Sequence, residues 1–180
     1  MAELLVSRTI ALVGLMGVGK STVGRRLGER LGLPFCDADE EIERAAGRSV
    51  GDIFDDLGEP EFRAGEHRVI RRLLEGPPHV LATGGGAFVH EGTRELLRAH
   101  ATTVWLKADV EVLAQRVARR DTRPLLRGRD PLAVLSAMAQ ARHPIYAEAD
   151  LVVETGEGAH RQAVDAIVEA LKARSGERGR

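Results

Sequence analysis

The densest chemical pattern in this 180-residue chain is Gly14-Leu15-Met16-Gly17-Val18-Gly19-Lys20-Ser21-Thr22, which fits G-x-x-x-x-G-K-[ST]. Glycine tolerates the φ/ψ values that let successive backbone N–H groups converge on phosphate oxygens. Gly17, Val18, Gly19, Lys20, Ser21 and Thr22 are therefore the expected nucleotide-phosphate site. Lys20 adds a mobile positive charge for the β- and γ-phosphates, and the Ser21 hydroxyl can reach the Mg²⁺ that travels with them.

Other residues could supply the rest of a phosphoryl-transfer site. Asp37 and Asp39 alternate by two at the end of an apolar run, so both carboxylates can face one side if a strand persists. One can serve a metal and the other orient or deprotonate an attacking hydroxyl; equally, Asp39 can cap a helix opening at Glu40. Gly84-Gly85-Gly86 is either a tight strand-to-helix turn or bare backbone offered to a ligand that comes close. Arg63 stands three residues before Glu66, which on spacing alone is a surface ion pair. Arg142 shares a helical face with Leu135 and Met138, and a cation on a core-facing side needs an anion. Arg116, Arg119, Arg120, Arg123, Arg127 and Arg129 crowd one helix and the loop after it, as a solvated basic face or as a flap that closes over polyphosphate. The six histidines show no metal-ligand spacing, and the single Cys36 reads as a small buried hydrophobe.

These residues need a scaffold, and the hydrophobic pattern supplies it. Residues 8–13, 33–37, 79–83, 102–106 and 151–153 read as strands, separated by helical stretches. The spacing predicts helices over 21–31, from Glu40 to Gly47, over 50–57, and from Pro60 to about Leu74. Others follow at 92–99, from Asp109 to about Arg120, from Asp130 to about Tyr146, and around Val164–Leu171. Short apolar strands alternating with helices argue for an α/β fold with a parallel sheet covered on both faces. Ligands then bind at the carboxyl ends of the strands, where all the glycine and aspartate candidates fall.

The length suits one domain, here residues 1–172, with 173–180 read as an unstructured tail. A net charge of −1 offers no global field for nucleic acid or an anionic membrane, and 3 % aromatic residues leave few stacking platforms. No stretch approaches a membrane span, and the region around Ile10 lacks the flanks of a signal peptide, so the expected compartment is the cytoplasm.

Taken together, the motifs resemble those of the shikimate kinases, from about Thr9 to Leu171. They are the Gly14–Thr22 loop, Asp37-Ala38-Asp39, Phe62-Arg63, Gly84-Gly85-Gly86, Arg123-Pro124-Leu125-Leu126, and Arg142 four residues before Tyr146. Asp52-Ile53-Phe54 and Gly58–Arg63 add to the likeness. The resemblance implies a three-layer P-loop kinase fold of the nucleoside-monophosphate-kinase type, with strand order 2-3-1-4-5. It also implies a substrate-binding region at about 39–74 and a lid at about 119–131. The implied reaction converts ATP and shikimate to ADP and shikimate 3-phosphate, with Mg²⁺ as cofactor, in a monomer. Lys20, Asp39 and Arg123 take the catalytic roles, and Ser21 and Asp37 serve the metal. Arg63, Arg142, Asp39, Gly84, Gly85 and Gly86 hold shikimate. Arg116 lies by the adenine, with the loop after Thr155 on its other side. A related kinase for gluconate or a nucleoside monophosphate shares the P-loop and lid, but it leaves Gly84–Gly86 with Arg63 and Arg142 unexplained.

Overall fold

In a computed structural model of the chain, residues 6–119, 126, 128–156, 158 and 160–178 are described. Five strands form one parallel sheet: β1 (Thr9–Val13), β2 (Phe35–Asp37), β3 (Val80–Ala82), β4 (Ala101–Lys107) and β5 (Leu151–Glu154), in the order β2-β3-β1-β4-β5. The helices are α1 (Lys20–Leu31), α2 (Ala38–Ala46), α3 (Val50–Leu74), α4 (Glu91–His100), α5 (Val110–Ala118), α6 (Pro131–Tyr146) and α7 (His160–Arg178).

β1 occupies the centre because every residue from Thr9 to Val13 is buried, so both of its faces must be covered. Ile10 and Leu12 are fully buried, each contributing on the order of 2 kcal/mol of hydrophobic stabilisation. β1 pairs with β3 on one side and β4 on the other, in registers such as Leu12↔Ala82 and Leu12↔Val104. This parallel register places the ends of β1, β3 and β2 side by side, and the chain leaves them at Gly14, Thr83 and Ala38. A second, smaller apolar cluster of Ile42, Ile53 and Phe62 joins α2 to α3.

Three local outcomes differ from the spacing-based expectation. β2 ends at Asp37 as expected, but Asp37 rather than Asp39 caps α2: its Oδ1 accepts from the Asp39 N–H at 3.0 Å and the Glu40 N–H at 3.3 Å. The two aspartates therefore do not alternate along a strand; Asp39 stands in the first turn of a helix. Residues 50–57 and 60–74 do form two helical segments, but they abut across Gly58 (φ 80°, ψ 170°) as a single kinked α3. Finally, α7 continues to Arg178, past the expected start of a tail at Ala173. Arg174 is tied to Asp150 at 2.9 Å, and Ser175 Oγ donates to the Leu171 carbonyl at 2.9 Å. Among the described residues, no helix is long and apolar enough to cross a membrane.

Candidate active site

At the carboxyl end of β1 the loop 14–19 turns under the first turn of α1. Gly14, Gly17 and Gly19 all have positive φ, and Gly17 (83°) and Gly19 (95°) sit in the left-handed region that a side chain would strain. Gly19 is also the N-cap of α1 and carries no side chain, so the first-turn N–H groups face the cleft without an internal cap. Lys20 Nζ donates to the Gly14 and Leu15 carbonyls at 2.7 and 3.0 Å, which folds the cation over its own loop. Ser21 Oγ donates to Asp37 Oδ2 at 2.5 Å. Because the cap bonds use Oδ1, the other oxygen of Asp37 is the one beside the Ser21 hydroxyl.

The cleft above this loop has a volume of about 330 Å³ and is lined by Gly17, Gly19, Lys20, Ser21, Thr22, Asp37, Asp39, Thr83, Gly84, Gly85, Arg116 and His160, among others. Val18 is fully buried and backs the loop without lining it. Arg116 on α5 donates to the Gly17 and Val18 carbonyls at 3.4 and 3.3 Å and to the Gly156 carbonyl at 2.8 Å. It thus straps the loop after β5 to the phosphate loop. Arg123 and most of the expected lid lie outside the described residues.

Four separate segments meet at the Asp39–Gly84–Gly85 wall of the cleft, with Arg63, Gly86 and Arg142 standing beyond its lining. Gly84–Gly86, after β3, show no positive φ, so these glycines are not needed for backbone conformation. They are needed for contact. A methyl group on Gly84 would stand 2.9 Å from Asp39 Oδ1 and 3.1 Å from Glu66 Oε2, and one on Gly86 would occupy the Arg63 guanidinium. On the far side, Arg142 Nη1 donates to the Gly85 carbonyl at 3.2 Å, and the Tyr146 hydroxyl donates to the same oxygen. Asp39, Arg63 and Arg142 therefore all converge on one glycine turn.

Glu66 corrects the expectation of a surface ion pair. Its side chain is fully buried, Oε1 accepts from Arg63 Nη1 at 2.7 Å, and Oε2 has no hydrogen-bond partner among the described residues. Burial pushes its carboxyl pKa up, Arg63 pulls it down, and Asp39 and Glu59 push it up again. An ion pair in such surroundings holds Arg63 in place far more firmly than an exposed one does. Two further cleft residues, Thr83 and His160, carry no spacing signal that could have singled them out. Thr83 is buried with its hydroxyl on the Leu12 carbonyl at 2.8 Å. His160 packs on Gly19 closely enough that a methyl there would come within 2.7 Å of the ring. Tyr146 lies behind the glycine turn.

The geometry is that of a P-loop phosphotransferase with an anionic acceptor. The family model for shikimate kinase matches residues 16–172. The chain belongs to the shikimate kinase family. A shikimate kinase of Caulobacter vibrioides (strain NA1000 / CB15N) is 64% identical over 166 residues, 92% of this chain and 83% of that protein. One of Paramagnetospirillum magneticum (strain ATCC 700264 / AMB-1) is 54% identical over 166 residues, covering 92% and 85%. Among solved structures, the shikimate kinase from Acinetobacter baumannii in complex with shikimate superposes with a TM-score of 0.89 at 40% identity, covering 93% of this chain and 94% of that one. A gluconokinase from Sinorhizobium meliloti 1021 shares the fold alone, at a TM-score of 0.66 and 19% identity.

Proposed function

We propose that ATP occupies the phosphate loop and Arg116 side of this cleft, and that shikimate binds between Asp39, Arg63, Gly84–Gly86 and Arg142. The reaction is that of the family: ATP and shikimate give ADP and shikimate 3-phosphate. The observation that carries the assignment of sides is the convergence of two guanidinium groups and one carboxylate on the same glycine turn. Planar guanidinium forks suit a carboxylate better than an ammonium group does, and the Asp39 carboxylate suits a hydroxyl.

The acceptor hydroxyl donates to Asp39, which orients it or takes its proton as its oxygen bonds to the γ-phosphorus. The bond from that phosphorus to the β–γ bridging oxygen breaks, and ADP leaves. Lys20 moves from the Gly14 and Leu15 carbonyls to the transferring phosphate, where its charge offsets what develops in the transition state. Arg123 joins it from the lid. Phosphoryl transfer rests on positioning and charge neutralisation, and these residues supply both.

Ser21 and Asp37 fit Mg²⁺. They place a hydroxyl and a carboxylate oxygen together, which are hard donors suited to this ion. Among the described residues there is no cluster of three or more acidic, histidine or cysteine ligands, so the ion would take its remaining ligands from phosphate and water. When bound with ATP, it neutralises charge on the β- and γ-phosphates. We further propose one folded domain acting as a cytoplasmic monomer.

The test is ADP release measured with shikimate, gluconate and nucleoside monophosphates side by side. Turnover with shikimate is expected to exceed the others by about 10³-fold or more, since the carboxylate clamp and the hydroxyl contact must be satisfied together. Folded protein that releases ADP only with another acceptor would overturn the assignment.

A further inference from the structure

Among the described residues, Tyr146 is the largest side chain that the fold buries completely. Its ring stacks with Phe88 at a centroid distance of 6.5 Å and lies 5.8 Å from Trp105. Ring packing of this kind holds a helix end in place but does not require a hydroxyl, and a phenylalanine would do it as well. The hydroxyl has its own task. It donates to the Gly85 carbonyl, the same oxygen that accepts from Arg142 Nη1. Arg142 and Tyr146 are four residues apart on α6, so one helical face presents both groups to the turn. Burial pushes the phenol pKa up, with Arg142 and Arg63 pulling against it, so at neutral pH the group keeps its proton and remains a donor.

Three glycines in a row have no side chains of their own to lock them. The Gly85 carbonyl is pinned from behind by the phenol and by the arginine that must also serve the substrate. We propose that Tyr146 is a positioning residue for the acceptor carboxylate. Its hydroxyl secures the Gly85 carbonyl, so that Arg142 can turn its guanidinium to the carboxylate without the turn following it. This rests on the placement of shikimate against Arg142 given above. The phenol makes no contact with the reacting atoms and acts through Arg142 and Gly85.

Tyr146→Phe removes the hydroxyl and keeps the ring. The expected result is a KM for shikimate raised about tenfold, with kcat and the KM for ATP within about twofold of wild type, the size expected for one buried hydrogen bond. Trp105 is the only tryptophan, so its emission during shikimate titration gives an independent binding constant. The second measurement compares shikimate with its neutral carboxamide on the same preparation. That ratio does not depend on the folded fraction, so it remains informative if the variant is less stable. Wild type should prefer the acid strongly, and Tyr146→Phe should lose about tenfold of that preference.

An unchanged KM for shikimate, or a raised KM with the full acid preference retained, overturns the role of the phenol. The assignment of the carboxylate to Arg142 fails separately: in that case wild type itself does not prefer the acid, and Arg142→Ala leaves the KM for shikimate where it was.

Discussion

The two halves of the cleft are built on opposite plans. The proposed ATP side is centred on one uninterrupted stretch, Gly14–Thr22, working mainly through backbone. The proposed shikimate side draws Asp39 from α2, Arg63 and Glu66 from α3, Gly84–Gly86 from the turn after β3, and Arg142 and Tyr146 from α6. Glycine shows the contrast most sharply. Gly17 and Gly19 have positive φ values in addition to the Val117 and His160 side chains that crowd them; Gly84 and Gly86 have no positive φ and are held to glycine by the carboxylates and guanidinium that press on them. The conformational requirement is local and falls on the phosphate loop alone, while the steric one comes from other segments of the chain and is the whole reason at Gly84 and Gly86.

If the halves are separable, damage on one side should leave ligand binding on the other intact. Lys20→Met is the largest expected effect: kcat falls by about 10³-fold or more, because a charge aimed at the transferring phosphate is lost. Shikimate binding followed by Trp105 fluorescence should change by less than about twofold, as the lysine stands on the donor side. Loss of shikimate affinity in that variant would break the comparison.

A matched pair of glycine substitutions sharpens it. Gly84→Ala places a methyl against the Asp39 and Glu66 carboxylates, and the KM for shikimate should rise about 10²-fold at an unchanged KM for ATP. Gly19→Ala strains a residue at φ 95° and meets the His160 ring, and the burden should fall instead on ATP, with a KM raised about tenfold. Steady-state kinetics with each substrate varied in turn reads both. Equal effects of either variant on both substrates would mean that the halves move as one.

The smallest expected effect lies outside both halves. Asp150 accepts from the Thr103 N–H at 2.8 Å and pairs with Arg174 at 2.9 Å, tying the start of β5 to β4 and α7. Burial pushes its pKa up, but the Thr103 amide, the Arg174 charge and the Thr103 hydroxyl outweigh burial and hold it below 3.8. A depressed folded pKa means that its contribution to stability is present in full above about pH 4 and is lost as pH falls through the folded value. Asp150→Asn should therefore cost about 1–2 kcal/mol in urea unfolding at pH 7, converge with wild type in acid, and leave kcat and both KM values unchanged. A constant difference across pH would remove the electrostatic account.

Legibility in the sequence followed the same division. The phosphate loop could be read because its function needs a fixed order of residue types over nine positions. The strands and most helices could be read because burial on both faces gives continuous apolar runs and one-sided burial gives helical periodicity. Asp37 and Asp39 lie at the expected strand end, but the cap falls to Asp37, because either carboxylate suits a cap by type and only the local backbone decides which one reaches the free N–H groups of α2. The Arg63–Glu66 pair has the same three-residue spacing as any surface pair; only the packing of α3 against the glycine turn buries it. His160 stands far along the chain from Gly19 and has no motif of its own, so nothing local links the two.

By itself, then, the sequence determined a parallel α/β sheet, a nucleotide-phosphate loop at the end of its first strand, and a set of arginines in need of anions. Tertiary structure decided which arginines meet at one point, which carboxylate is buried to hold one of them, and what stands behind Gly85. The physical reason is range. Backbone conformation and hydrophobic periodicity are set by neighbours within a turn or two, and these leave a trace in residue order. A cluster of charges gathered on a glycine turn is set by the register of the sheet and the packing of α3 and α6 over it.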